Sequence, residues 1–272
     1  MRIQHNIAAL NSHRQLGTNN TAVGKNLEKL SSGYRVNRAG DDAAGLAISE
    51  KMRAQITGLE VAQKNANDGI SLVQTAEGAL TEVHSMLNRM VELASQSANG
   101  IYDTKDRANL QAEVKALSSE IDRIATETNF NGQKLLDGSA DYDLQISDDV
   151  GATGQINVKI GTAMNTTGLG INNVDISDQT KAKAAVTAVK SAIETVSTTR
   201  GNLGAIQNRL EHTINNLGVA QENMTAAESR IRDVDMAKEM MAYTKNNILV
   251  QASQAMLAQA NQLPQGVLQL LK

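Results

Sequence analysis

The chain has 272 residues, of which 41% are hydrophobic but only 2% aromatic, with one Phe, four Tyr and no Trp. It has no Cys and a formal charge of -3, which excludes disulfides, a thiol nucleophile and a thiolate metal site and gives no overall bias toward nucleic acid. A core of Leu, Ile, Val, Met and Ala favours helix packed on helix over a sandwich. The length allows one large or two modest domains.

Charge is unevenly placed. Residues 1–40 carry Arg2, Arg14, Lys25, Lys29, Arg35 and Arg38 against Glu28 alone, whereas residues 130–180 carry seven Asp against Lys134 and Lys159. The basic end lacks interleaved aromatics, so it reads as a solvated face. The N-terminus has no apolar run of the kind a cleaved secretory signal needs, and no apolar window is long enough for a membrane span. Export, if it occurs, is expected to use a route without a cleaved signal.

The first predicted helix is weak, with Ile3, Ile7 and Leu10 separated by a polar gap from Val23, Leu27 and Leu30. A break at 31–40 follows, and Asp41 or Asp42 then caps the next helix. That helix carries an unbroken seven-residue series, Met52, Leu59, Ala66, Val73, Leu80, Leu87 and Ala94. Its companion series, Ile56, Gln63, Ile70, Glu77, His84, Val91 and Ala98, is mixed. A third helix is predicted over 105–126. A second long series runs Ala182, Val189, Val196, Leu203, Leu210, Leu217, Met224 and Ile231. Repeats of 3.5 residues sustained this long predict coiled-coil-like packing. Gly58, Gly69, Gly78, Gly201, Gly204 and Gly218 interrupt neither series and read as points of close contact.

Between the helices, residues 129–178 are rich in Gly, Asn, Asp and Thr. Two alternating runs, Tyr142-Leu144-Ile146 and Ile156-Val158-Ile160, flank the turn residues 148–154 and predict a β-hairpin.

From Asn246 to Leu271 there is no charged residue. Leu249, Met256, Leu263 and Leu270 are seven apart, as are Val250 and Leu257, while Gln251, Gln254, Gln262, Gln265 and Gln269 share a stripe. A helix without a charged wet side is expected to be surrounded by other protein. Neither terminal helix has enough apolar surface to fold alone. The two are therefore expected to pair, and to order fully when neighbouring copies cover them.

No catalytic, cofactor or metal constellation is legible. There is no HExxH, no GxxxxGK[ST], no GxSxG, no complete dinucleotide fingerprint and no calcium loop. Glu77 and His84 are seven apart and lack further ligands, so a packing or edge role is expected for them.

Several stretches, taken together, resemble bacterial flagellin, the filament-subunit family. They are MRIQHNIAALN (1–11), LEKLSSGYRVNRAGDDAAGLAIS (27–49), NRMVELASQSAN (88–99), ETNFNGQKLLDG (127–138), SRIRDVDMAKEM (229–240) and LAQANQLPQGVLQLLK (257–272). The resemblance implies a mainly α protein, a long coiled-coil-like helical rod with a small central β-hairpin and paired terminal helices. Residues 1–40 and 235–272 would form the inner filament core, 41–129 and 177–234 the rod, and 130–176 a short variable segment. Core assembly would fall on Ile3, Ile7, Leu10, Val23, Leu27, Leu249, Val250, Met256, Leu257 and Leu263. The five glutamines would either line a central conduit or pack between subunits.

The resemblance further implies a motility filament outside the cell and export through the flagellar type III apparatus. The partners would be other copies of the chain, an export chaperone on the C-terminal helix, and distal cap and hook-junction proteins. A contact with the animal Toll-like flagellin receptor would involve Arg89, Leu93, Gln96 and Glu113, with Val91 where many potent members carry a second Arg. No nucleic-acid or membrane partner, enzyme activity or cofactor is implied. The alternative is a hook–filament junction or secretion-system adaptor with coiled-coil ends.

Overall fold

The computed structural model describes residues 6–148 and 154–270, the last eight of these as backbone only. Five helices run through the described residues: α1 (Ile7–Ser32), α2 (Ala43–Ser97), α3 (Thr104–Glu127), α4 (Gln179–Arg232) and α5 (Met236–Leu270). Strands β1 (Asn129–Phe130), β2 (Gln133–Lys134), β3 (Ala140–Gln145) and β4 (Gln155–Ile160) lie between α3 and α4 and form two antiparallel pairs. The fold is mainly α with a small β-hairpin, as the periodicities predict. The chain divides into two compact units, Thr57–Gln221 and Met1–Ile56 with Glu222–Lys272.

In the first of these units the predicted series of α2 is buried from Leu59 through Ala66, Val73, Leu80, Leu87 and Ala94. Its buried companion differs from the expected one. It is Ala62, Gly69, Ala76, Val83, Met90 and Ser97, three residues beyond each member of the first series, while Gln63, Glu77 and His84 sit half-buried on its flank. The reason is size. Ala62, Gly69 and Ala76 contribute little hydrophobicity but let neighbouring elements approach closely, so the seam is narrow there, while Val83 and Met90 make it apolar further along. The α4 series is buried from Ala182 to Leu210 and only half-buried from Leu217 onward.

Gly69 shows what a small residue does here. A Cβ at this position would overlap the Leu144 Cδ1 methyl of β3 and reach Leu210 Cδ1 at 3.4 Å. Gly58 is similarly approached by Asp148 Cβ, at 2.8 Å from the same notional atom. Gly78, Gly201 and Gly204 do not meet the close-contact expectation, because nothing lies within 4 Å of a Cβ built on them. These three are tolerated as open surface positions on helices held by tertiary packing.

The predicted hairpin pairs Tyr142 with Val158 and Leu144 with Ile156. Its alternation turns Ile156, Val158 and Ile160 inward. A smaller hairpin, β1–β2, turns on Asn131 (φ 52°) and Gly132 (φ 79°), a pair of left-handed residues that suits a two-residue turn. The segment 161–178 has little regular structure but is stitched to the helices. The Asp122 carboxylate accepts from Thr166 N (2.7 Å) and Thr166 Oγ1 (2.9 Å), and the Gln111 side chain spans Ile176 N (2.6 Å) and Val174 O (3.1 Å). Ser97 Oγ donates to Ile176 O (2.5 Å). Those bonds satisfy backbone groups that burial would otherwise leave unpaired, and they let Met164, Ile171 and Ile176 fill the core in place of aromatics.

In the other unit α1 packs along α5. Gly33, with φ 75°, ends α1 and returns its N–H to Lys29 O. Asp42, not Asp41, caps α2 by accepting from Gly45 N (2.8 Å). Asp41 instead accepts from the backbone N–H groups of Arg38 (3.1 Å) and Asn37 (3.3 Å), which hold its carboxyl below the usual range. The 33–36 segment is fixed to the α4–α5 junction. Arg35 N donates to Arg232 O (2.6 Å), Val234 N donates to Gly33 O (3.0 Å), and the Arg232 guanidinium lies 4.8 Å from the Tyr34 ring while reaching Glu50.

Candidate assembly site

The contact between the terminal helices is mixed: its most deeply buried positions are small or polar, while Leu16, Val23 and Leu30 on α1 and Tyr243, Val250 and Leu257 on α5, each set seven apart, are half-buried. On α1, Asn19 and Asn26 are buried and seven apart; on α5, Asn246, Ser253 and Ala260 are seven apart, with Ser253 and Ala260 buried. Asn19 Nδ2 donates to Ser253 Oγ (3.0 Å), and Asn6 Nδ2 donates to Ala260 O (2.7 Å) while its oxygen caps α1 through Ala9 N (3.1 Å). In the amide orientation its neighbours require, Asn26 donates to Glu239 Oε1 (3.0 Å) and accepts from Asn246 Nδ2 (3.0 Å). The two helices run antiparallel, so each step of seven on one meets a step of seven on the other. The aliphatic periodicity used above does not point to these residues. Their own seven-residue spacing, Asn19 to Asn26 and Asn246 to Ser253 to Ala260, does.

Many other aliphatic residues of the same helices are left outside. Ile7 (58% exposed), Leu10 (61%), Leu27 (56%), Leu249 (40%) and Met256 (54%) face outward, with Met236, Met240, Met241 and Ile248 also exposed. Val23, Val250 and Leu257 are half-buried beside the polar seam. Gln251, Gln254 and Gln262 are exposed on α5. Ile3 and the side chains of Leu263, Gln265 and Gln269 lie outside the described residues. Scattered exposed Leu are ordinary, but a helix pair whose most buried residues include Asn and Ser while so many of its aliphatics are exposed is not.

On the α2–α3 surface, Arg89 Nε donates to Glu113 Oε1 (2.8 Å) and Arg89 Nη1 to Glu92 Oε2 (3.0 Å). Both partners, Glu113 first, raise the guanidinium pKa above its ordinary value. Gln96 Nε2 donates to Tyr102 Oη (2.8 Å). Leu93, between them in sequence, is buried in the core and is only 1% exposed. Glu77 pairs with Arg200 at 3.5 Å. Among the described residues no cluster of three or more His, Asp or Glu could hold a metal, and no helix is long and apolar enough to cross a membrane.

Two family profiles match the chain, the bacterial flagellin N-terminal helical region over residues 3–141 and the bacterial flagellin C-terminal helical region over residues 186–271. The chain belongs to the bacterial flagellin family. It is 57% identical to flagellin of Bacillus subtilis (strain 168) and 57% identical to flagellin of Halalkalibacterium halodurans, each over 100% of both proteins. It is 48% identical to the flagellar filament 33 kDa core protein of Treponema phagedenis, again over 100% of both. The crystal structure of Bacillus cereus flagellin matches with 35% identity and a TM-score of 0.51, covering 61% of this chain and 94% of that one. As a flagellin, the chain is a structural subunit and not an enzyme. It self-assembles into a homopolymer, the extracellular filament of the flagellum, and its roles in motility and export follow from the family.

Proposed function

We propose that the α1–α5 pair is the inner assembly layer of the filament, residues 1–40 with 235–272, and that its outward aliphatics are the surfaces by which copies join. The observation that carries this reading is the inversion just described: Asn19, Asn26 and Ser253 inside, Ile7, Leu10, Leu27, Leu249 and Met256 outside. Apolar area left in water contributes about 25 cal/mol per Å² when a neighbour covers it, so the pair gains most of its stability in the polymer. Residues 41–129 and 177–234 act as the rod, and 130–176 as its short variable segment. The neutral glutamines Gln251, Gln254, Gln262, Gln265 and Gln269 line the conduit side of that layer, where they neither trap nor repel passing charges.

An export chaperone covers the apolar face of α5 before assembly, and cap and hook-junction proteins meet the same terminal surfaces at the filament ends. Host receptor recognition falls on Arg89, Gln96 and Glu113, with Leu93 acting from the core as the residue that holds their helix in place. The full-length likeness to flagellins does not favour the junction-protein or adaptor reading.

The experiment is seeded polymerisation of the full chain against a chain lacking residues 246–272. The truncated chain is expected to keep the fold of 57–221, seen as a cooperative helical melt, and to add nothing to seeds. Filament growth by the truncated chain would contradict the assignment.

A further inference from the structure

The methionines of this chain are sorted by burial. Of those among the described residues, Met90 and Met164 are fully buried and Met52, Met86 and Met224 half-buried, whereas all four on α5, Met236, Met240, Met241 and Met256, are exposed, Met241 to 67%. At about 100° per residue, Met241 and Met256 fall on one outward stripe with Ile248 and Leu249, while Met236 and Met240 flank the Asn246–Ser253–Ala260 seam on its other side. Met presents an apolar surface much like that of Leu, but it carries a thioether that Leu lacks. A buried thioether is screened from solutes. One on an open helix face meets them directly.

We propose that Met236, Met240, Met241 and Met256 form a modification site at which a peroxide takes the free subunit out of assembly. A thioether lone pair attacks one peroxide oxygen; the O–O bond breaks, an S–O bond forms, and proton transfer releases water. The sulfur thus loses the two electrons that the peroxide gains. The product is a polar sulfoxide on a face that assembly must dry, and burying its S–O group without a donor opposes association. In the filament, neighbouring copies cover the same face and exclude the oxidant. Peroxide therefore acts on subunits before they join and spares those already built in. This rests on the assembly reading above and names how that same surface is regulated.

The test exposes the dilute full chain and preformed filaments to the same concentration of hydrogen peroxide. Peptide mass spectrometry then locates the added oxygen residue by residue, and growth is followed on untreated seeds. In the free subunit the four α5 methionines should oxidise at least about tenfold faster than Met90 and Met164, and at least about tenfold faster than the same four in the filament. Treated subunit should need at least about tenfold more protein to grow. Methionine sulfoxide reductases for both epimers should restore it. The variant M236L/M240L/M241L/M256L keeps apolar volume at exposed positions and should grow after treatment within about twofold of its own untreated growth.

Treated wild type that grows as well as untreated would overturn the proposal. So would an equal loss of growth in the treated Leu variant, or equal oxidation of the four methionines in subunit and filament. The melt of 57–221 should survive treatment; its loss would place the damage in the rod and overturn the proposal too. Failure of untreated wild type to grow on seeds would count instead against the assembly reading, and the oxygen map of the free subunit would still decide whether α5 is the oxidised surface.

Discussion

Replacing Gly69 with Ala sets two known effects against each other at one atom. In a helix interior the change gains about 1 kcal/mol from backbone propensity. Against this, the new methyl overlaps Leu144 Cδ1 and presses on Leu210 Cδ1 at 3.4 Å. Overpacking of this kind costs about 1–3 kcal/mol, somewhat less if Leu144 turns to another rotamer. The net outcome is a loss of about 0–2 kcal/mol. Gly204→Ala is the control, because nothing lies within 4 Å of its new methyl, so it should gain close to the full 1 kcal/mol. The two substitutions are thus separated by about 1–3 kcal/mol, or several degrees in Tm at about 2–4 °C per kcal/mol for a unit of this size. Urea unfolding followed by circular dichroism measures both. The G69A/L144A double variant should recover part of the loss, giving a coupling of about 1 kcal/mol. Equal stabilisation by both Gly→Ala changes, or strict additivity of the double variant, would refute the account of β3 seated in a notch on α2.

Other substitutions separate the folded subunit from its polymer. Leu210→Ala, at a fully buried position, should cost about 2–5 kcal/mol in the melting of the free subunit. Met256→Ala, exposed on α5, should leave that melt within about 0.5 kcal/mol of wild type and raise the critical concentration for polymerisation. Gly132→Ala, at φ 79°, should lose about 1–2 kcal/mol because a Cβ is strained in the left-handed region. Asp175, hydrogen-bonded first by Lys181 at 2.7 Å and then by Ser177, has its carboxyl pulled down to about 2. The folded pKa lies below the unfolded value of about 3.9, so the contribution is present above about pH 4 and is lost as pH falls toward 2. The pair is half-exposed, so Asp175→Asn should flatten the acid limb of a pH–stability profile by less than about 1 kcal/mol.

The helices and the hairpin were legible because their signals are periodic. Leu59 to Ala94 and Ala182 to Leu210 recur every seven residues, and Tyr142 to Ile160 alternates around a Gly-rich turn. The second seam of α2 was only partly legible from hydrophobicity: Val83 and Met90 carry that signal, but Ala62, Gly69 and Ala76 matter by being small, and at Gly69 only the position of Leu144 reveals it. The Asn131–Gly132 turn was readable from its residue types but stands between strands of two residues each, too short for an alternation signal. The buried course of 161–178 depends on Asp122 and Gln111, which reach it from a separate helix, and such long-range stitching leaves no local pattern. For the terminal site, a search for aliphatics finds Val23, Val250 and Leu257, which are half-buried in the contact, together with Ile7, Leu10, Leu27, Leu249 and Met256, which stay outside. The most buried part of the contact includes Asn19, Asn26 and Ser253, residue types that a hydrophobic reading passes over.

The joining of α1 to α5 means that the earliest and latest translated parts of the chain must meet. Residues 57–221 draw on partners within their own stretch, whereas Asn19 cannot find Ser253 until 234 positions have been passed. A product broken off before Asn246 lacks Asn246, Ser253 and Ala260, the α5 partners of Asn26, Asn19 and Asn6, however well its middle has folded. On the assembly reading proposed above, the polymer would thereby proofread its own building blocks, since only molecules carrying both α1 and α5 would present the joining surface.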